Sequence, residues 1–246
     1  MTEAEWLACV NPETMLDFLE GHCDLIESDD PAVWPVGRKL RLFAVGCCRH
    51  VGHLLTDPLS YHALEVTERY VDGFVTRDER VNAALAAGQA TNELEGVDDG
   101  RYQAATAAYR TLDDIVGNFT DVVEAVDYAA CVVARPASLA PDRNEGDYDS
   151  RRYNEAKRSE QSHQASLLRD IFNPFRPVTF LPEWRTSTVL ALAAQMYESR
   201  DFSAMPILAD ALQDAGCTDE AILTHCRGPG PHVRGCFCVD AILGKS

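Results

Sequence analysis

The sequence predicts an all-α protein: a multi-helix bundle with a long central helix or helix pair and a compact C-terminal helical subdomain. Three observations carry this. Apolar residues recur at steps of three and four along most of the chain. Capping residues and first-turn prolines mark helix starts. No run alternates with period two for long enough to form a strand.

The elements follow in order. Asn11-Pro12-Glu13 supplies an N-cap, a first-turn proline and an acid at the positive helix end, ahead of an apolar face of Met15, Phe18 and Leu19. Acids, prolines and a glycine make residues 27–37 a loop. A helix is expected from Arg38 to Leu55, with Leu40, Phe43, Cys47, Val51 and Leu54 on one stripe. The next follows Asp57-Pro58 and ends near Gly73; Thr76 caps an Ala-rich third that fades by Gly96. Over residues 101–134, Ala105, Tyr109, Leu112, Val116, Phe119, Val123, Val126, Ala130 and Val133 form a heptad-like stripe. That stripe suits the long core helix or helix pair of a bundle, with Gly117-Asn118 as a bend or break.

Residues 136–158 are polar without a sustained period and read as a flexible connection. The expected organisation is therefore an N-terminal bundle over 1–135, a linker over 136–158 and a C-terminal subdomain over 159–246. In the last, Ser159 starts a helix carrying Leu167, Leu168, Ile171 and Phe172, ended by Asn173-Pro174. Thr186 or Ser187 opens the next, with Val189, Leu192, Ala193 and Met196 on one face. Ser203 opens another and Gly216 closes it. Thr218 caps a short helix to about Cys226. The Gly228–Pro231 run breaks the chain, and a last helix is expected from about His232 to Leu243.

Charge and composition bound the function. The net charge of −17 argues against non-specific contact with nucleic acid or anionic lipid, since phosphate needs a basic surface. No apolar run spans a membrane, and the acidic start lacks the pattern of a secretory signal. Nine cysteines, an odd number in a chain of 246 residues, point to a reducing cytoplasm with most thiols as small buried hydrophobes.

Several phrases carry a family likeness: MTEAEWLAC, RKLRLFAVGCCR, HLLTDP, ERYVDG, LLRDIFNPFRPV, PILADALQDAGC and HCRGPGPHVRGCFCVDAILGK. They resemble a large paralogous family of planctomycete-type bacteria at both ends of the chain, with a variable Ala-rich middle. PILADALQDAG also resembles the YADWLEERG-type phrase of a short repeat-companion domain of the same bacteria. Phe237 stands where family members often carry tryptophan, and Phe172-Asn173-Pro174 where they carry a Gly-Asn-Pro phrase. The resemblance implies no activity.

Residues 216–238 crowd together four of the nine cysteines and two of the seven histidines. Zinc takes four N or S ligands in a tetrahedron, so Cys217, Cys226, His232 and Cys236 form a candidate metal set, His232 and Cys236 sharing a face if both lie on one helix. Against this, no CxxC pair is present, and the neighbours His225 and Cys226 do not both point one way. The competing expectation is that these thiols fill a core. A cysteine nucleophile is a third reading: Cys236 near a helix start, His232 as its base, Asp240 beyond. Cys47, His50 and His53, with His22-Cys23 as partner, are a further metal candidate, against which Cys47 fits the apolar stripe. Arg38, Arg41 and Arg49 are expected to pair with acids of neighbouring helices. Arg176, Arg227 and Arg234 are expected to brace loop carbonyls.

Phosphate-loop, dinucleotide, zinc-protease and nucleophile-elbow motifs are absent from the chain. The leading expectation is a non-catalytic helical protein-interaction module without cofactor, its partner not named by the sequence. The alternative is a metal-binding module, for zinc or a similar ion, built on the C-terminal cluster. An enzyme with an unrecognised Cys/His site comes third.

Overall fold

The computed structural model describes residues 1–22, 35–96, 101–112, 126–131, 134, 150–176 and 178–245. It is an all-α, multi-helix fold, with no strand among the described residues. The chain divides into two compact units, Met1–Ala165 and Ser166–Ser246.

In the first unit, α1 (Glu3–Ala8) opens on a capping box between Thr2 and Glu5, and α2 (Pro12–Glu20) on the Asn11 cap. α3 (Pro35–His50) starts three residues before the expected Arg38, so Gly37 belongs to the helix and not to the preceding loop. It also stops at His50; Gly52–Leu54 form a tighter 3-10 turn. α4 (Pro58–Val71) and α5 (Arg77–Glu93) begin at Asp57 and Thr76, as read from the sequence.

α6 (Arg101–Arg110) ends in a turn at Thr111-Leu112. The expected stripe over 101–134 is therefore not one helix from its start. Residues 126–131 are helical again, and Gly117-Asn118 lies outside the described residues, as do Trp34 and Cys23.

α7 (Ser150–Ile171) corrects the linker expectation at its C-terminal end. Residues 150–158 are helical, with Arg151 and Glu155 paired one turn apart at 3.0 Å and Lys157 held by Asp127 at 2.6 Å. Polar composition there reflects a charged helix surface. The division between units falls inside α7, not over 136–158; residues 135–149 lie outside the described ones.

The core of the first unit is built partly from alanine. Ala63, Val66, Ala83, Ala87 and Leu112 form one buried cluster, and Ala104, Ala105, Ala107 and Ala108 of α6 are buried as well. Small side chains let helix axes approach, and a Cβ on Gly88 would already stand 3.5 Å from the Tyr109 ring. The weak apolar periodicity of α5 is the sequence face of this packing.

Charge is buried in the same unit with partners. Arg49 grips Glu68 through two bonds of 2.9 and 3.0 Å, and Arg38 reaches Asp72 at 3.3 Å, as expected of arginines facing neighbouring helices. Arg41 instead donates to the Thr111 carbonyl at 3.0 Å, and Arg80 donates to that of Leu112. Both guanidiniums are 1% exposed. Both donors thus go to main-chain carbonyls just past the end of α6.

Of the two histidine candidates here, His50 at the end of α3 joins a different cluster from the one expected. His50 stacks on His163 of α7, ring centres 3.5 Å apart and planes 20° apart, and its Nε2 lies 3.3 Å from Glu160. Cys47 is fully buried. Burial pushes the Glu160 carboxyl up to about 7, though a hydrogen bond with Gln164 opposes it. Burial, then the neighbouring His50, brings the His163 imidazole down to about 4.

Two predictions follow from this packing. Ala87→Leu should cost about 1–3 kcal/mol in urea unfolding, since Ala87 has no free surface, whereas Leu85→Ala on the exposed side of α5 should stay within about 0.5 kcal/mol. The second concerns pH. Glu160 keeps its proton to about pH 7 when folded but only to about 4.5 when unfolded, so its contribution to stability is lost as pH rises through that window. His163 acts oppositely, losing stability as pH falls from about 6.5 to 4. Glu160→Gln removes the first effect alone. The difference in unfolding midpoint between variant and wild type should shift in the variant's favour between pH 5 and pH 8; a difference constant with pH would refute the assignment.

Candidate metal centre

The second unit holds α8 (Ser187–Ser199), α9 (Met205–Asp214), α10 (Glu220–Arg227) and α11 (Phe237–Leu243), together with the end of α7. Thr186 caps α8 through the Val189 amide. Asp219, not Thr218, caps α10, accepting from the amides of Ala221 and Ile222, and α9 starts at Met205 without a side-chain cap. Val189, Ala193, Met196, Leu208, Leu212, Ile222 and Val239 pack into one core. Cys217, Cys226, Cys236 and Cys238 are all buried within it, and the described cysteines are free thiols.

The last helix is shorter than expected. Gly230 and Gly235 have φ of 81° and 95°, the Gly230–Pro231 bond is cis, and α11 begins only at Phe237 with Cys236 as its N-cap. His232 and Cys236 thus do not share a helix face. A turn brings them together, closed by the Cys236 amide on the Val233 carbonyl at 3.0 Å.

Four groups converge there: Asp170 near the end of α7, His225 in the last turn of α10, His232 after the Gly-Pro turn, and Cys236 at the head of α11. One ligand atom from each lies within 4.8 Å of all the others. His225 Nε2 is 3.2 Å from Cys236 Sγ and 3.2 Å from Asp170 Oδ1. His232 Nδ1 is 2.7 Å from the same carboxylate oxygen, and the Val233 amide donates to Oδ2 at 3.0 Å. Edge-to-face packing of the two imidazoles and the Phe237 ring against His225 close the site further.

The groups are nearly dry. Asp170 is 2% exposed, the His232 side chain 7% and the His225 side chain 17%. Burial works to raise the Asp170 carboxyl, but the hydrogen bonds and positive charge of His225 and His232 outweigh it, and the group sits below the usual carboxylate range. Burial, then the Asp170 charge, holds the Cys236 thiol well above its ordinary value.

Of the four sequence candidates, the structure places His232 and Cys236 in the cluster. Cys226 faces elsewhere, its Sγ 3.3 Å from that of Cys238, and Cys217 is buried in the core beside the end of α9, its amide on the Leu212 carbonyl. Asp170 and His225 take the other two places. Successive residues on a helix point about 100° apart, so His225 turning to the cluster sends Cys226 into the core. The signal for Asp170 was its position between Leu168 and Ile171: an acid on an otherwise buried helix face requires a partner.

The arrangement fits a metal better than a nucleophile. Zinc bonds of about 2.0–2.3 Å set tetrahedral edges of about 3.3–3.8 Å; the two 3.2 Å spacings around His225 Nε2 approach that range, while the 2.7 Å between His232 and Asp170 is a hydrogen bond that would have to open for both to bind one ion. Nitrogen, oxygen and sulfur donors suit zinc. Four protein donors leave no open position. In a nucleophilic triad the carboxylate would hold the imidazole nitrogen opposite the thiol; here Asp170 and Cys236 face the same nitrogen of His225. Asp240, the third member of the expected triad, is absent from the cluster.

Arg234 donates not to a loop carbonyl but to that of Tyr197 in the last turn of α8, at 2.7 Å, and lies over its ring. Arg227 pairs instead with side chains, Asp210 at 3.0 Å and Gln213 at 2.7 Å. No family model, curated protein or solved structure matches the chain.

Proposed function

We propose that the C-terminal unit is a non-catalytic metal-binding module, holding zinc or a similar ion through Asp170, His225, His232 and Cys236. The observation that carries this reading is their convergence from four chain segments on one buried point. His225 Nε2 adds to it: one nitrogen faces both a thiol and a carboxylate, and an N–H can serve only one of them well. A cation serves both. His232 Nε2, buried, has no hydrogen-bond partner among the described residues. Such a closed set stabilises a fold and does not activate water.

The likeness to the planctomycete-type family is part of the same proposal. Its phrases LLRDIFNPFRPV and HCRGPGPHVRGCFC contain all four groups, so on this reading those phrases are the metal-binding sequence. No described helix is long and apolar enough to cross a membrane. A protein-interaction role is the second reading, supported by exposed apolar side chains on the same unit, Ile207 at 59% and Leu190 at 37%. Loss of a cross-linked partner on Ile207→Glu would support it; an unchanged set of partners would count against that surface.

Elemental analysis of the purified protein should find close to one zinc per chain. Asp170→Ala, His225→Ala and His232→Ala should each lose it, while Cys217→Ser and Cys226→Ser keep it. Chelation should lower the melting temperature, because an ion that binds only the folded state at a hundred times its Kd contributes about 2.7 kcal/mol. Affinity should fall with falling pH, since protons compete for imidazole and thiolate. Metal-free protein whose melting point ignores chelator would reduce the cluster to a hydrogen-bonded knot.

A further inference from the structure

The thiols of Cys226 and Cys238 face each other from different helices, Sγ to Sγ 3.3 Å, and neither belongs to the four-group cluster. Cys226 lies in the last turn of α10 and Cys238 in the first turn of α11. Both have 0% exposure, so the contact is a property of the core and not of a mobile surface. A disulfide needs its sulfurs at about 2.05 Å, roughly 1.3 Å closer than here.

From this geometry we infer that Cys226 and Cys238 are a dithiol that oxidises to a disulfide, cross-linking α10 to α11. The oxidant is a small peroxide. One cysteine, as thiolate, attacks the peroxide oxygen; the O–O bond breaks, a sulfenic acid forms and one water leaves. The second thiol then attacks that sulfur; the S–O bond breaks, the S–S bond forms and a second water leaves. Two thiols and one hydrogen peroxide thus give one disulfide and two waters. Access comes from local opening of α11, a helix of seven residues. The inference uses atoms separate from the metal cluster and does not depend on its occupancy.

The test uses the full chain, as purified and after chelation. Protein is treated with hydrogen peroxide, remaining thiols are alkylated in denaturant, and the digest is mapped by mass spectrometry. The expected result is a loss of two hydrogens per chain and one cross-linked peptide pair joining Cys226 to Cys238, reversed by a dithiol reductant. The pairing should persist in Cys236→Ser, which abolishes the metal ligand but not the pair. A cross-link through Cys217 or Cys236 in its place, or full alkylation of Cys226 and Cys238 after peroxide, overturns the inference. Wild-type mapping alone decides it if the Cys236→Ser variant fails to fold. Zinc content measured on the same samples reports separately on the metal reading.

Discussion

A carboxylate that has almost no water is the constraint on which the C-terminal unit depends. Asp170 is 2% exposed on a helix face whose neighbours Leu167, Leu168 and Ile171 are buried. Burying such a charge without partners is prohibitive. The chain answers with two imidazoles and a backbone amide, all from the 225–233 segment. That segment must therefore double back. Gly230 at φ 81° gives the reversal a conformation that a side chain would resist, and a Cβ there would press on the His232 amide at 3.1 Å. Position of the turn, identity of its glycine and burial of the acid are one requirement seen from three sides.

The first unit solves a similar problem with different chemistry. Among its described residues buried charges of both signs occur, and the two deepest arginines, Arg41 and Arg80, donate to carbonyls at the end of α6. An arginine suits this because its planar fork reaches several acceptors and it does not shed its proton. The alanine-lined interfaces of α4, α5 and α6 bring the backbones close enough for such contacts. Small core residues and buried arginines are thus complementary: one removes side-chain volume, the other fills the gap at the helix end.

Much of this was legible in residue spacing. Asn11-Pro12, Asp57-Pro58, Thr76 and Thr186 mark helix starts because capping is local chemistry, decided within four residues. Gly216, at φ 88°, marks an end for the same reason. Where tertiary contacts decide, the sequence is weaker. Residues 150–158 lack an apolar period yet are helical, with the exposed Arg151–Glu155 pair and the Lys157–Asp127 contact in place of a buried apolar face. His232 and Cys236, four apart, imitate a helical face; Gly235 at φ 95° prevents it. Asp170 and His225 stand 55 positions apart, and no local rule joins them.

Size gives the second unit a use for the metal site and the disulfide that we propose. About eighty residues bury a limited apolar core, and domains near that size commonly add metals or disulfides to reach useful stability. The elements most in need are α10 and α11, with eight and seven residues, too short to persist as isolated helices. Both kinds of cross-link argued above fall on these two. His225 and Cys236 would tie them through an ion, and Cys226 and Cys238 through sulfur, from positions adjacent to or two removed from those ligands. The alternation follows from helix geometry. At the end of α10, one residue turns toward the polar cluster and its successor toward the core; at the start of α11, Cys236 caps the helix while Cys238 has rotated inward. A single interface therefore carries a polar cluster and an apolar thiol pair side by side, and the candidate set Cys217, Cys226, His232 and Cys236 drew two members from the first, one from the second and one, Cys217, from neither.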